Sequence, residues 1–174
     1  MRIIGLAGWS GAGKTTLLVK VIPVLLARGL KVSTLKHAHH AFDVDQPGKD
    51  SYAHRLAGAT EVLVGSARRW ALVHELREES EPTLRQLLGK LASVDLVVVE
   101  GYKRESHPKL EVHRGAVDKP LLHPHDPHIV AVASDQALRT RLPLVHLDDI
   151  ESIAGILIER AVPLDTILGG ARSG

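Results

Sequence analysis

Gly8-Trp9-Ser10-Gly11-Ala12-Gly13-Lys14-Thr15 follows the spacing Gly-x4-Gly-Lys-Ser/Thr, and its residue types suit one task, holding a chain of phosphates. Glycines let the main chain curl so that successive amides point inward at phosphate oxygens, and a helix beginning at the end of the loop adds partial positive charge. The amides of Gly11 to Thr16 would hold a β-phosphate, Lys14 would neutralise the β- and γ-phosphates, and the Thr15 hydroxyl would ligate Mg²⁺. Ser10, Gly11, Ala12, Gly13, Lys14, Thr15 and Thr16 are thus the expected nucleotide-binding residues.

Such a cradle needs a second acid at the carboxyl end of a neighbouring strand. Asp95 opens the apolar run Leu96-Val97-Val98-Val99 and Glu100 closes it, about 16 Å apart at ~3.3 Å per residue. Only Glu100 lies at the phosphate end, so Glu100 joins Thr15 as the expected metal pair and Asp95 is a turn residue. The chain contains no asparagine, so the usual guanine motif Asn-Lys-x-Asp is impossible. If guanine is read, another carboxylate must accept its N1 and N2 protons, and Asp135, just past an apolar strand, is the expected one. Capping of a short helix through Leu138 by Ser134 and Asp135 is an equal alternative.

Lys36-His37-Ala38-His39-His40-Ala41-Phe42-Asp43-Val44-Asp45 follows the second strand and also reaches the phosphate edge. Asp43 and Asp45 could hold Mg²⁺ through water or orient an attacking group, and Asp45 is taken with Lys14 as the expected catalytic pair. Lys36 or His37 could meet phosphate oxygens. Neutral imidazoles at His37, His39 and His40 would suit Zn²⁺ or Ni²⁺, although the spacing does not require a metal, and His123, His125 and His128 are expected to be exposed. Lys49, His54 and Arg55 add positive charge near the predicted site, with Asp50 or Ser51 as a helix cap. No in-cis arginine finger or water-orienting glutamine is evident, so turnover would be slow.

The elements that must position these groups alternate. Residues 2–7, 14–28 and 31–36 read as strand, helix and strand, a spacing that demands a crossover and a parallel pair. Further helices are expected at 50–59, 82–91 and 149–161, with strands at 60–65, 70–76, 95–99, 109–113, 128–133 and 144–147. Pro23 should disturb the first helix and Gly29 should end it. The Pro- and His-rich stretch 119–128 reads as a surface loop, and Arg68 and Arg69 as a solvated hairpin turn.

Composition narrows the classes further. The 174 residues, 44% hydrophobic and 24% charged, make one ordinary globular domain, expected over 1–162 with a frayed tail over 163–174. A formal charge of only +2 and 3% aromatic residues argue against a nucleic-acid surface. No apolar run approaches the ~20 residues of a membrane span, and residues 1–7 read as a strand rather than a signal peptide. Without cysteine there is no disulfide framework and no thiolate chemistry, which fits a reducing cytoplasm.

The set Gly8 to Thr16, Lys36-His37 with His39-His40, Pro47-Gly48-Lys49-Asp50-Ser51, Ala57-Gly58-Ala59, the strand near residues 69–77, and Val99-Glu100-Gly101-Tyr102-Lys103 resembles the molybdopterin-guanine dinucleotide biosynthesis adapter family, MobB. The phosphate loop is generic; the His-rich segment with its Pro-Gly-Lys-Asp continuation and the Glu-Gly-Tyr-Lys turn are the specific parts. The resemblance implies an α/β, three-layer P-loop NTPase with a mostly parallel central sheet flanked by helices. It implies a cytoplasmic homodimer that binds GTP with Mg²⁺ and hydrolyses it weakly. Its partner would be a molybdenum cofactor guanylyltransferase of the MobA kind, with molybdopterin as a further ligand, and neither nucleic acid nor membrane. A small-molecule kinase with Asp43 or Asp45 as base, and a nickel or zinc metallochaperone GTPase, remain the competing readings.

Overall fold

The computed structural model describes residues 1–38 and 42–168; His39, His40 and Ala41, and residues 169–174, lie outside it. The chain divides into two compact units, Met1–His37 with Leu84–Gly174, and Ala38–Thr83.

In the first unit, strands β1 (Arg2–Ala7), β2 (Val32–Lys36), β5 (Leu96–Glu100), β6 (Lys109–His113), β7 (Ile129–Ser134) and β8 (Leu144–His146) run in the order β2-β5-β1-β6-β7-β8, every neighbouring pair parallel. Alternate side chains enter opposite faces, and both faces are covered. Ile4, Leu6, Val98, Leu110 and Val112 meet helices α1 (Lys14–Ala27) and α4 (Ile150–Arg160) on one side. Ile3, Val97 and Val99 meet Leu84 and Leu88 of α3 (Leu84–Leu88) and Leu164 of α5 (Leu164–Leu168) on the other. The three-layer expectation holds. Each fully buried leucine, such as Leu25 or Leu157, contributes about 1.5–3 kcal/mol.

Helix α1 runs through Pro23, because the carbonyl that Pro23 leaves without a donor belongs to Val19, a residue that is 65% exposed. It ends where expected: Gly29, at φ +81°, donates to the Leu26 carbonyl (2.9 Å) and Leu30 to that of Leu25 (3.3 Å). Asp149 caps α4 by accepting from the Ser152 amide at 3.1 Å.

The expected frayed tail is corrected over 163–168. Val162–Pro163 forms a short strand, β9, antiparallel to the start of β1, and the Leu164 amide donates to the Met1 carbonyl at 3.0 Å before α5 begins. Arg2 explains the docking. Its guanidinium donates to the carbonyls of Ile158 and Ala161, satisfying the open C-terminus of α4.

The stretch 101–108 returns from the end of β5 to the start of β6 without a helix, lying so close to β1 that Gly5 must be glycine. A β-carbon there would sit 2.4 Å from Nε2 of His107, which is fully buried with no hydrogen-bond partner on either ring nitrogen. Beside it the fully buried Lys109 reaches Asp126 (3.0 Å), and buried Glu111 accepts from the amides of Leu122 (2.6 Å) and His123 (3.0 Å) and pairs with His123 Nδ1 (3.0 Å). Residues 119–128 form the mostly exposed loop expected of them, with His125 and His128 exposed, but His123 is half-buried against Glu111 rather than exposed.

The second unit contains α2 (Asp50–Leu56) and the antiparallel hairpin of β3 (Glu61–Gly65) and β4 (Trp70–His74). Helix α2 stops short of 59 because Gly58, at φ +113°, turns the chain and donates to the Arg55 carbonyl at 3.0 Å. Neither Asp50 nor Ser51 caps α2; the Ser51 hydroxyl donates to Asp45 at 2.8 Å instead. Arg55 ties the unit together through Asp43 (2.7 Å), Asp45 (3.1 Å) and Glu75 (2.6 Å). On one hairpin face Leu63, Leu72 and Trp70 are 67%, 43% and 69% exposed, while Val62 on the other is buried. Among the described residues no helix is long and apolar enough to cross a membrane.

Burial, with the Lys109 charge beside it, lowers the His107 pKa from 6.5 to about 4, so the ring is neutral in the folded chain. The unfolded chain binds that proton more readily, so stability from this site is complete above pH ~6.5 and is lost as pH falls toward 4, by about 3 kcal/mol. Urea unfolding at pH 7.5 and 4.5 should show this loss, and His107→Phe, which removes two unpartnered nitrogens, should flatten it; an unchanged acid slope would contradict the assignment. Gly5→Ala should cost about 1–3 kcal/mol by the same measurement, because the ring it meets has nowhere to move.

Candidate phosphate-binding site

Strand β1 ends at Ala7 in the sheet centre and α1 begins at Lys14, so the intervening loop must reverse within six residues. Gly11 and Gly13 take φ of +82° and +91°, and a β-carbon on Gly8 (φ +152°) would lie 2.5 Å from the Val112 carbonyl oxygen. The curl is fixed from outside as well. The Trp9 indole donates to the Pro120 carbonyl at 2.7 Å, and the Lys103 ammonium sits 4.7 Å above its ring. No side chain caps α1 and no acid occupies its first turn, so its leading amides face the loop mouth without an anionic partner among the described residues. Ser10 to Thr16 thus stand where a phosphate group would meet them.

Lys14 folds back, its Nζ donating to the carbonyls of Gly8 (3.0 Å) and Trp9 (3.1 Å). Burial lowers its pKa, and nearby Glu100 opposes that shift. The Thr15 hydroxyl donates to Glu100 Oε1 at 2.8 Å, and Lys36 Nζ lies 3.9 Å from the same oxygen. Strand register makes this meeting: Glu100 is level with Leu6 on one side and Lys36 on the other, while α1 brings Thr15 down from above. A hydroxyl and a nearly buried carboxylate form an all-oxygen set, the chemistry a hard cation such as Mg²⁺ prefers. Asp95 accepts the Lys31 amide at 2.7 Å at the opposite end of the sheet, the turn role expected of it.

Past Glu100, Gly101 (φ +97°) and Tyr102 (φ +50°) turn the chain beside His37, whose ring lies 4.7 Å from that of Tyr102. A β-carbon on Gly101 would come within 2.8 Å of the His37 Cβ. The metal reading of the histidines cannot be followed through His39 and His40, which lie outside the described residues. Among the described residues no group of three or more His, Asp or Glu side chains is placed to hold a metal ion.

Asp135 follows β7 at the phosphate edge, and no helix runs on to Leu138. Its Oδ1 accepts the Gly115 amide at 2.9 Å and its Oδ2 lies 3.7 Å from Arg114. Lone pairs on Oδ2 remain for a ligand. Asp43 and Asp45 belong to the other unit, where their carboxylates serve Arg55, Ser51 and the local main chain. Hydrogen bonding from Arg55 holds the Asp43 carboxyl below the usual range.

Arg114 escaped the sequence reading. It follows β6, which lies beside β1, and a β-carbon on Gly13 would be 3.4 Å from its Nη2. Strand β6 reads Lys-Leu-Glu-Val-His, so it lacks the apolar run that pointed to Glu100, and no such signal marked Arg114.

The sequence model of the molybdopterin guanine dinucleotide synthesis protein B family, MobB, matches residues 3–135. The chain is 44% identical over 160 residues to the molybdopterin-guanine dinucleotide biosynthesis adapter protein of Escherichia coli K12, covering 90% of this chain and 91% of that one. It is 40% identical to the Haemophilus influenzae protein of the same name, covering 89% and 86% of the two chains. A crystal structure of molybdopterin-guanine biosynthesis protein B superposes with a TM-score of 0.72 at 27% identity, over 90% of this chain and 98% of the other. The glycine cradle, the Thr15–Glu100 pair and the parallel sheet that carries them thus sit in a P-loop NTPase fold, and the chain belongs to the MobB family.

Proposed function

We propose that this protein is a GTP-binding adapter of molybdopterin-guanine dinucleotide synthesis, acting beside a molybdenum cofactor guanylyltransferase and hydrolysing GTP slowly. The observation that carries the reading is the 2.8 Å bond from Thr15 to Glu100 at the mouth of an uncapped glycine cradle. The amides of Gly11 to Thr16 bind the phosphates, and Lys14 exchanges its two loop carbonyls for phosphate oxygens. Thr15 and Glu100 would hold Mg²⁺, which neutralises charge on the terminal phosphates. Nothing among the described residues of the first unit stands as a dedicated base for the attacking water, and this supports slow turnover and an accessory role. The adapter role is supported by the names of the Escherichia coli and Haemophilus influenzae relatives.

Guanine is chosen by Asp135, whose Oδ2 accepts the N1 and N2 protons that adenine does not offer in that arrangement. A homodimer in the cytoplasm completes the reading. It is supported by the apolar stripe of Leu63, Leu72 and Trp70 on a two-stranded ribbon, an element too small to be stable with one apolar face in water.

Titration calorimetry with GTP and ATP in the presence of Mg²⁺ tests the nucleotide assignment. Wild type should prefer GTP, and Asp135→Ala should lower that preference by roughly ten- to a hundredfold, the worth of hydrogen bonds to a charged group; equal affinity for both bases in wild type would contradict it. Sedimentation of Trp70→Glu should give a monomer where wild type gives a dimer, and a dimer retained by the variant would place the interface elsewhere.

A further inference from the structure

Strand β1 lies between β5 and β6, so the phosphate loop at its end has two flanks. The β5 flank holds Thr15, Glu100 and Lys36, the acidic and metal-suited side. The β6 flank holds Arg114, the residue immediately after His113. Its Nη2 and Nε would stand 3.4 Å and 3.7 Å from a β-carbon on Gly13, which places the planar fork against the loop just before α1 begins.

The main chain at Arg114 is clamped. Asp135 accepts the amide of Gly115 at 2.9 Å, Val117 donates to the Arg114 carbonyl at 3.0 Å, and Gln136 fills the space where a side chain on Gly115 would go. The side chain itself is 42% exposed, and Asp135 Oδ2, at 3.7 Å from Nη1, is beyond hydrogen-bonding distance. A guanidinium carries five donors in a rigid fork matched to phosphate oxygens. Here its main chain is held and the partly exposed fork lies against the loop at Gly13, with an ion pair too long to satisfy it.

Resting on the nucleotide-binding reading above, we propose that Arg114 is a binding residue for the phosphates that GDP and GTP share, approaching them from the β6 flank. Its place opposite the Thr15–Glu100 side separates it from the terminal phosphate, so it contributes to affinity for both nucleotides and not to the hydrolytic step. Asp135 is its positioning residue, acting through the Gly115 amide.

The test is calorimetric binding of Mg²⁺-GTP and Mg²⁺-GDP to wild type, Arg114→Ala and Arg114→Lys, with thermal melts of each and the hydrolysis rate at saturating GTP. Arg114→Ala should weaken both nucleotides about tenfold, by similar factors, the scale of one lost charge-assisted phosphate contact. Arg114→Lys, which keeps the charge but not the fork, should fall between wild type and Arg114→Ala. Unchanged GDP affinity in either folded variant overturns the proposal, whether GTP affinity or kcat falls or not. Wild type binding neither nucleotide overturns it together with the reading it rests on, whereas wild-type binding with unaltered variants removes Arg114 alone.

Discussion

The amides at the start of α1 have no side-chain partner among the described residues, and the rest of the first unit is arranged around that deficit. A helix N-terminus normally recruits a serine, threonine or aspartate to accept from its leading amides. Here the cap position is Gly13 in the left-handed region, and the first turn holds no acid. The sheet enforces the opening. Gly8 lies so close to the Val112 carbonyl that no side chain fits, and Trp9 is tied down by Pro120 and Lys103. The loop is thus held open by contacts that form during folding and do not depend on a ligand, which is the preorganisation that makes an anion site effective.

Putting the loop at the centre of a parallel sheet brings its neighbours into use. Parallel strands all end on one edge, so the residues following β5, β6 and β7 converge on the loop from both sides. Glu100, Arg114 and Asp135 arrive there on three different strands. Level with Gly5 of β1 and Val99 of β5, β6 starts in a buried polar cluster in which Lys109 is matched by Asp126 and His107 has no match among the described residues. Breaking such a pair costs more than the pair itself contributes, so this cluster restricts the register of β6 more than it stabilises the fold. Register in turn sets where Arg114 emerges.

Features carried by local pattern were legible in the sequence. The cradle, the Schellman end of α1 at Gly29, the Asp149 cap and the Thr15–Glu100 meeting follow from spacing along one or two adjacent elements. What was misread depends on partners distant in sequence. Sequence left guanine contact and helix capping equally open for Asp135; no helix follows it, and its carboxylate accepts the amide of Gly115, 20 positions away in the turn after β6. Residues 119–128 form the exposed loop that their proline and histidine content suggests, except that Glu111 inside β6 draws His123 inward. The docked segment after α4 depends on Arg2, more than 150 residues earlier. Arg114 could be recognised only once β6 was known to lie beside β1.

The central claim, that this loop gathers the phosphates of a nucleotide, is most directly tested by titrating Mg²⁺-GTP into wild type and Lys14→Ala, each checked for an intact fold by its thermal melt. Wild type should bind and the variant should bind at least about tenfold more weakly, since one charge-assisted contact to phosphate is removed. A Lys14→Ala protein that melts like wild type and binds GTP with the same affinity would contradict the account.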